Sequence, residues 1–197
     1  MTPRIRPYKN VDESGWLRCR VLSFLSTPYF DDVKASKDRY SRPAIELVAE
    51  AGDDIVGLLD LELETAPGDL CWKSGSLGGV MWNIAVHPDH QRERIATRLL
   101  EEAVALSRKK GIQRIEAWTR NHPPTQAWYE KNGFRKIHTY LHVFVDDDEA
   151  SEEFPASTRS DLRVVNAFAH YTGDAPEEIR SRFRRVHDCF LYELLMD

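Results

Sequence analysis

Cysteine is scarce in this sequence, which has three in 197 residues, at Cys19, Cys71 and Cys189. No two of them form a CxxC pair, which argues against a zinc ribbon or a dithiol redox motif. An odd number of cysteines is more typical of a reducing compartment than of secretion. The sequence also lacks any apolar run near the roughly 18 residues that a membrane helix needs, and its first residues lack a signal-peptide core. We therefore expect a cytoplasmic protein without membrane contact.

Basic residues are outnumbered by acidic ones, 27 to 32, which gives a net charge of -5. An acidic chain is a poor electrostatic partner for nucleic acid, so no nucleic-acid partner is expected. Hydrophobic residues make up 42% and charged residues 30%, the balance of a globular protein. A chain of this length predicts a single domain over residues 1–197.

Hydrophobic periodicity predicts an α/β protein with a mixed sheet. The predicted strands cover 4–8, 45–51, 55–64, 79–86, 113–119, 137–145 and 186–195. The predicted helices cover 12–25, 95–106 and 125–131, with a last one from 174 to about 182. The strand–helix–strand order in the centre predicts a crossover between neighbouring parallel strands.

Three carboxylates alternate with leucines in the predicted strand 55–64: Asp60, Glu62 and Glu64. Because side chains along a strand alternate between its two faces, these carboxylates share one face. A solvated strand face explains the pattern, and so does a surface that attracts a cationic ligand.

The junction between the predicted strand 79–86 and the next helix carries three arginines, at Arg92, Arg94 and Arg98. A helix start has unpaired backbone N–H groups and a partial positive charge, and both favour a phosphate. A helix that begins with solvated basic side chains would show the same pattern. Residues 87–97 contain no glycine, which excludes a Walker loop and a dinucleotide fingerprint.

Two blocks around this junction resemble the GNAT N-acetyltransferases. The first reads Gln91-Arg-Glu-Arg-Ile-Ala96 and is similar to the family's acyl-CoA signature Q/R-x-x-G-x-G/A, although Arg94 stands where glycine is usual. The second is Asn121 followed by Tyr129-Glu-Lys-Asn-Gly-Phe134, similar to the family's asparagine and Y-x-K-x-G-F. The resemblance extends over about residues 45–145.

This resemblance implies a mixed sheet whose fourth and fifth strands splay apart, with acetyl-CoA wedged into the gap and no metal ion. The implied pantetheine contacts are the backbone groups of Ile84, Ala85 and Val86, and the N–H of Val86 is the implied oxyanion donor. The implied pyrophosphate contacts are the amides of Gln91, Arg92, Glu93, Arg94, Ile95, Ala96 and Thr97. Asn121 would orient the pantetheine or the neighbouring loop, unless it is only a turn residue.

Arg94 departs from the family pattern, and we expect the helix to have begun already at this residue, with a negative φ. Arginine has good helix propensity and would then place a cation over the phosphates. Glycine, by contrast, would be needed at a positive φ.

The resemblance assigns Tyr129 as the general acid that protonates the departing thiolate. The alternative is that its ring only packs a helix onto the sheet. Many family members carry an acidic residue near the position of Asn83, and an amide cannot act as a base. Glu62 is therefore the predicted base, directly or through water, with Glu64 as a second candidate.

The resemblance implies an acetyl-CoA-dependent N-acetyltransferase that modifies a primary amine of a small molecule or peptide by direct attack in a ternary complex. The alternative is a GNAT-fold acyl-CoA sensor or interaction module without turnover. Residues 146–181 form a longer link than the family usually has, so we expect an insertion that covers the acceptor site or meets a partner. A homodimer is one such arrangement.

Overall fold

The computed structural model describes residues 2–146, 148–149, 161 and 164–196, which form eight strands and four helices. The strands are β1 (Arg4–Pro7), β2 (Ala44–Ala51), β3 (Asp54–Leu63), β4 (Gly78–Val86), β5 (Arg114–Arg120), β6 (Arg135–Val145), β7 (Ala167–Tyr171) and β8 (Arg185–Leu195). The helices are α1 (Glu13–Phe24), α2 (Ile95–Arg108), α3 (Pro123–Lys131) and α4 (Pro176–Arg182).

All eight strands belong to one sheet in the order β1-β2-β3-β4-β5-β8-β6-β7. Neighbouring strands are antiparallel, except for the parallel pair β4 and β5, which α2 connects. The mixed sheet and the crossover confirm the fold class predicted from periodicity. Strand β8 enters the sheet between β5 and β6, so the C-terminal part of the chain completes the centre of the fold.

The two faces of the sheet bury different helices. On one, here called the α2 face, α2 and α3 cover the largest apolar cluster, which includes Leu59, Leu99 and Ile115. On the other, the α1 face, Trp16 and Cys19 of α1 pack on neighbouring strands. Burial of such side chains contributes on the order of 2 kcal/mol each to folding. The α1 face thus has helical cover over β2 to β4, while the neighbouring part of that face is covered by loops.

Close packing of α2 on β3 depends on Gly57. A Cβ at this position would come 2.7 Å from Cγ2 of Ile95, the first residue of α2. Because a side chain of any size would push the helix away, Gly57 fixes where the N-terminus of α2 lies over the sheet.

The expected insertion at 146–181 contributes β7 and α4 where the structure describes it. Strand β7 pairs with β6 at the edge of the sheet, an element that the sequence patterns did not predict. The apolar side chains of Val164, Val165 and Phe168 are exposed on this chain. Residues 147, 150–160 and 162–163 lie outside the described part, and the role of the insertion stays a prediction. None of the four helices is long and apolar enough to cross a membrane.

Candidate functional site

A gap opens in the sheet between β4 and β5. The two strands pair only from Gly78 to Val80 and from Arg114 to Glu116, and then they diverge. Beyond this point β4 continues to Val86 along β3, and β5 continues to Arg120 along β8. The predicted divergence of these two strands is therefore present, and their facing edges are the groups that a ligand in the gap would meet.

The edge of β4 exposes hydrogen-bonding groups to the gap. The amide of His87 donates to the carbonyl of Val56 on the β3 side, at 2.9 Å. Since successive residues of a strand direct their backbone groups to opposite sides, Val86 and Ile84 direct theirs toward the gap. The side chain of Gln91 donates to the carbonyl of Val86 at 3.4 Å, which ties the following loop to the strand end. Ala85 instead packs its side chain against the α1 face.

The loop between β4 and α2 contains two left-handed residues, Arg92 with φ 66° and Arg94 with φ 61°. The expectation of a negative φ at Arg94 is wrong, because this residue precedes the helix as its N-cap. A non-glycine residue in this region costs about 1–2 kcal/mol, so the loop holds arginine at positions that glycine adopts more readily. Left-handed residues in a turn direct successive N–H groups into one concavity that suits an anion.

The first turn of α2 adds amides to this concavity. Its first helical hydrogen bond runs from the amide of Arg98 to the carbonyl of Arg94, at 3.0 Å. The amides of Ile95, Ala96 and Thr97 therefore precede the hydrogen-bonded ladder of the helix. Gln91, Arg92, Glu93 and Arg94 are exposed, whereas Ile95 is buried. The guanidinium of Arg94 lies 3.9 Å from the carboxylate of Glu101, along the helix.

Tyr129 lies on α3, on the α2 face of the sheet. Its ring is buried and stacks on Tyr192 at a centroid distance of 5.1 Å, with Phe134 edge-on at 5.0 Å. Burial raises the pKa of Tyr129 well above its ordinary value, and the nearby hydroxyls of Tyr29 and Tyr192 add to this effect. A phenol is protonated at neutral pH without this shift, which makes the hydroxyl a weaker acid, and the ring also has the packing role that the sequence left open.

Asn121 follows β5 directly. Its amide donates to the carbonyl of Asp188 on β8 at 2.9 Å, and its side-chain oxygen lies 3.2 Å from Nδ1 of His187. These bonds fix the chain where it leaves β5 for α3, so Asn121 stabilises the loop at this end of the gap.

Tyr29 is a residue of the gap that the sequence patterns did not identify. Its hydroxyl accepts a 2.7 Å hydrogen bond from the amide of Arg120, the last residue of β5. The next amide, that of Asn121, points to β8, so the Arg120 amide faces the gap side. Tyr29 lies in the loop 25–43, which shows no periodicity that would have indicated its position.

Two of the three alternating carboxylates, Asp60 and Glu64, bond to neighbouring groups of the protein. Asp60 is fully buried, and its carboxylate lies 3.2 Å from the ammonium of Lys37. Burial raises the pKa of Asp60 to about 6, although the charge of Lys37 lowers it. Glu64 is also buried, but its hydrogen bonds hold its pKa below the usual value. Its oxygens accept from the amides of Gly68, Leu70, Cys71 and Gly78. The expectation of a solvated strand face is therefore wrong.

Glu62, the predicted base, is 5% exposed on the same face. One of its oxygens accepts from the indole of Trp82 at 2.9 Å, and the other accepts from the amide of Arg42 at 3.2 Å. Trp82 is the extra residue where the register of β3 and β4 shifts. The sequence correctly placed Glu62 on the strand next to β4. It could not show that both of its oxygens accept hydrogen bonds.

Asn83 stands where the family often has an acid, and its amide is held from both ends. The oxygen accepts from Nε of Arg20 at 2.9 Å, and the nitrogen lies 3.3 Å from the carboxylate of Asp60 and 3.4 Å from the Tyr40 hydroxyl. Arg20 in turn pairs with Asp32 at 2.7 Å. Asn83 therefore joins α1 and the loop 25–43 to the β4 side of the gap.

Among the residues that the structure describes, no three His, Cys, Asp or Glu side chains are grouped so as to hold a metal ion.

Residues 43–136 match the family model described as "Acetyltransferase (GNAT) domain". No curated protein matches the chain at a significant level. The matched range contains β3, β4, α2 and β5 in full and therefore the whole gap.

Solved structures share the fold along the whole chain. The ribosomal-protein-S18-alanine N-acetyltransferase from Escherichia coli is 14% identical with a TM-score of 0.59, covering 99% of this chain and 94% of its own. The PaiA N-acetyltransferase from Thermoplasma acidophilum, in complex with coenzyme A, is 13% identical with a TM-score of 0.58 and 100% coverage of both chains. A GNAT acetyltransferase from Elizabethkingia anophelis with acetyl-CoA bound is 16% identical with a TM-score of 0.53, covering 99% of each chain.

These likenesses at low identity establish a common fold, and the family match establishes the domain that carries the gap. The resemblance seen in the two sequence blocks is confirmed by both comparisons. Residues 43–136 therefore match a GNAT acetyltransferase domain, and the chain as a whole shares its fold with solved acetyltransferases, one of them a GNAT family member.

Proposed function

We propose that this protein transfers the acetyl group of acetyl-CoA to a primary amine by direct attack within a ternary complex. The observation that carries the proposal is the gap between β4 and β5. The loop that follows β4 has a left-handed backbone at Arg92 and Arg94. A thioester can lie along the exposed edge of β4 while its pyrophosphate meets the amides before α2. The related structures from T. acidophilum and E. anophelis contain coenzyme A and acetyl-CoA, respectively.

Two groups support the acyl-transfer step. When the amine nitrogen attacks the thioester carbon, negative charge develops on the carbonyl oxygen, and the N–H of Val86 would stabilise it. The carbon–sulfur bond then breaks, and the departing thiolate needs a proton. The Tyr129 hydroxyl would supply that proton.

The attacking amine must lose a proton, and Glu62 is the base predicted from the sequence. Both of its oxygens already accept hydrogen bonds, from Trp82 and from the Arg42 amide. These bonds fix the orientation of the carboxylate, and each oxygen keeps a lone pair that can accept a proton. We propose that the acceptor enters the site as the neutral amine, that Glu62 takes, directly or through water, the proton that the nitrogen loses as the amide forms, and that the same carboxylate orients Trp82.

The second candidate function is an acyl-CoA sensor or interaction module without turnover. It is favoured by one observation, the structural engagement of Asn83 and Glu62 at the positions where a base would be expected. Both functions need the same acyl-CoA site, so they differ in chemistry rather than in binding.

The test of the shared site is a thermal melt of the full chain with and without millimolar acetyl-CoA. A ligand bound only by the native state at a hundredfold excess over Kd adds about 2.7 kcal/mol to stability, which corresponds to several degrees. ATP at equal concentration is the control for nonspecific anion effects, because it carries phosphates but no thioester. If acetyl-CoA leaves the melting temperature of the folded protein unchanged, the acyl-CoA site itself is contradicted.

A further inference from the structure

Four rings meet on the α1 face beside the gap, and we call them the indole cluster: Trp72, Trp118, His138 and Tyr140. Trp72 stacks on His138 with a centroid distance of 4.4 Å and meets Trp118 edge-on at 6.1 Å. Trp118 also contacts Tyr140 edge-on, at 5.1 Å. Although it has these contacts, Trp72 is 60% exposed. The cluster therefore presents one exposed indole, that of Trp72, beside three partly buried rings.

Trp82 lies on the opposite side of the gap. Val80 of β4 pairs with Glu116 of β5, and Trp82 and Trp118 each follow two residues later on the diverging strands. Trp82 is half exposed, and its indole nitrogen is tied to Glu62 on the α1 face. Indole side chains therefore stand on both strands at the level where the gap begins to widen.

The backbone under Trp72 is fixed by buried charges. Glu116 accepts from the amides of Trp72 and Lys73 at 2.7 and 3.0 Å, and Arg114 pairs with Glu116 and with the carbonyl of Lys73. Glu64 holds the same loop through three of its amides and also accepts from the amide of Gly78, the first residue of β4. Buried ion pairs are a costly way to gain stability, but they do specify one geometry. The result is an exposed indole on a loop with a defined position.

The carboxylates near the indole cluster have partners. Glu62 accepts from Trp82 and the Arg42 amide, and Glu193 pairs with Lys73 at 2.8 Å. Glu116 pairs with Arg114. A polyamine or aminoglycoside would need several carboxylates free to meet its charges. An aromatic ring needs flat faces and edges, and such contacts contribute about 0.5–1.5 kcal/mol beyond the burial of area.

We propose that the indole cluster, together with Trp82, is the acceptor-binding surface. The acceptor is then a primary amine whose side chain is attached to an aromatic ring, as in tryptamine. This inference rests on the proposed function, since it names the substrate class of the same site. The ring would stack against Trp72 and Trp118 on the α1 face, and the amine would extend into the gap from the side opposite to α2.

The test is calorimetric titration of the full chain, saturated with coenzyme A, with tryptamine, hexylamine and spermidine. We expect tryptamine to bind about tenfold more tightly than either of the other amines. Trp72→Ala should remove most of this preference, and Trp72→Phe, which keeps a flat ring, should retain part of it. Phe168→Ala is the control, because Phe168 is 51% exposed, compared with 60% for Trp72, but lies on the edge strand β7.

Tighter binding of spermidine than of tryptamine would overturn the proposal, and so would an unchanged preference in Trp72→Ala. The retention of binding by Trp72→Phe distinguishes loss of the ring from collapse of the loop. Failure of the proposed function has a different signature, since tryptamine would then bind with the predicted preference while no acetylated tryptamine forms from acetyl-CoA.

Discussion

The hydroxyl of Tyr29 accepts a 2.7 Å hydrogen bond from the backbone amide of Arg120, where β5 ends beside the gap. The guanidinium of Arg120 lies over the same tyrosine ring at 4.4 Å and donates to the carbonyl of Pro28. On the other side of the gap, Arg20 binds Asp32 and Asn83. The loop that carries Tyr29 is thus attached to both diverging strands, and it links the two halves of the sheet where their direct pairing has ended.

Tyr29→Phe should lower the free energy of unfolding by about 1–3 kcal/mol, because the Arg120 amide loses its partner in a partly buried place. Chemical denaturation measures this loss. Tyr171→Phe is the control, since its hydroxyl accepts a comparable bond from the amide of Ala175 at an exposed position, where water can replace it. Equal effects of the two substitutions would show that the Tyr29 bond has no special role.

Tyr129→Phe should lower kcat by roughly 10²–10⁴ while acetyl-CoA binding changes little, because the ring and its packing remain and only the acidic proton is lost. Steady-state thiol release and calorimetry separate the two quantities. Tyr192→Phe is matched to it, since that ring stacks on Tyr129 but its hydroxyl is bonded to Glu130. If Tyr129→Phe turns over within about threefold of the parent, another group protonates the thiolate.

Arg94→Gly should be more stable than Arg94→Ala by about 1 kcal/mol, because alanine keeps the strain of the left-handed backbone and glycine removes it. The same pair at Arg98, inside α2, should have the opposite order, with alanine more stable by about 1 kcal/mol. Thermal or chemical denaturation of the four variants checks this reversal. The same order at both positions would contradict the left-handed conformation of Arg94.

His142 should make stability depend on pH. Burial, together with the charges of Arg120, His170 and His187, lowers the pKa of His142 to about 3. Between its ordinary value of 6.5 and about 3, the unfolded chain binds a proton that the native chain does not. The free energy of unfolding therefore falls as the pH is lowered through this window.

His142→Asn lacks the titrating ring but retains an oxygen that can accept from Nε of Arg120, as Nδ1 of His142 does. Its stability should consequently depend less steeply on pH than that of the parent. Denaturation series from pH 7 to pH 4 provide the comparison. Parallel curves for the two proteins would show that His142 is protonated in the native state as readily as in the unfolded chain.

Much of the fold could be predicted because its strands and helices have clear periods. The hydrophobic stripe around Leu99 and Leu100 marked α2, and the alternation of leucines and carboxylates marked β3. The shared face of those carboxylates was also predicted. Their burial was not, since it depends on the loop 65–77, whose amides contact Glu64 from positions that no local pattern specifies. Strand β7 was missed because it is a five-residue edge strand without strong alternation.

The site could be predicted only where it depends on local sequence. The two family blocks located the loop before α2 and Tyr129. The helix propensity of arginine gave the wrong backbone conformation at Arg94, because the turn from β4 into α2 outweighs that propensity. The role of Tyr29 could not be predicted, because its partner Arg120 is 91 residues away in the chain and no pattern near Tyr29 indicates this contact.

Acetyl transfer from acetyl-CoA to a primary amine is tested most directly by mass spectrometry of the amine after incubation with enzyme and acetyl-CoA. We expect an N-acetylated amine that forms together with an equal amount of free coenzyme A thiol, and we expect both to form roughly 10²–10⁴ times more slowly in Tyr129→Phe. Acetyl-CoA binding by the native protein without any acetylated product, across aromatic, aliphatic and peptide amines, would contradict this expectation.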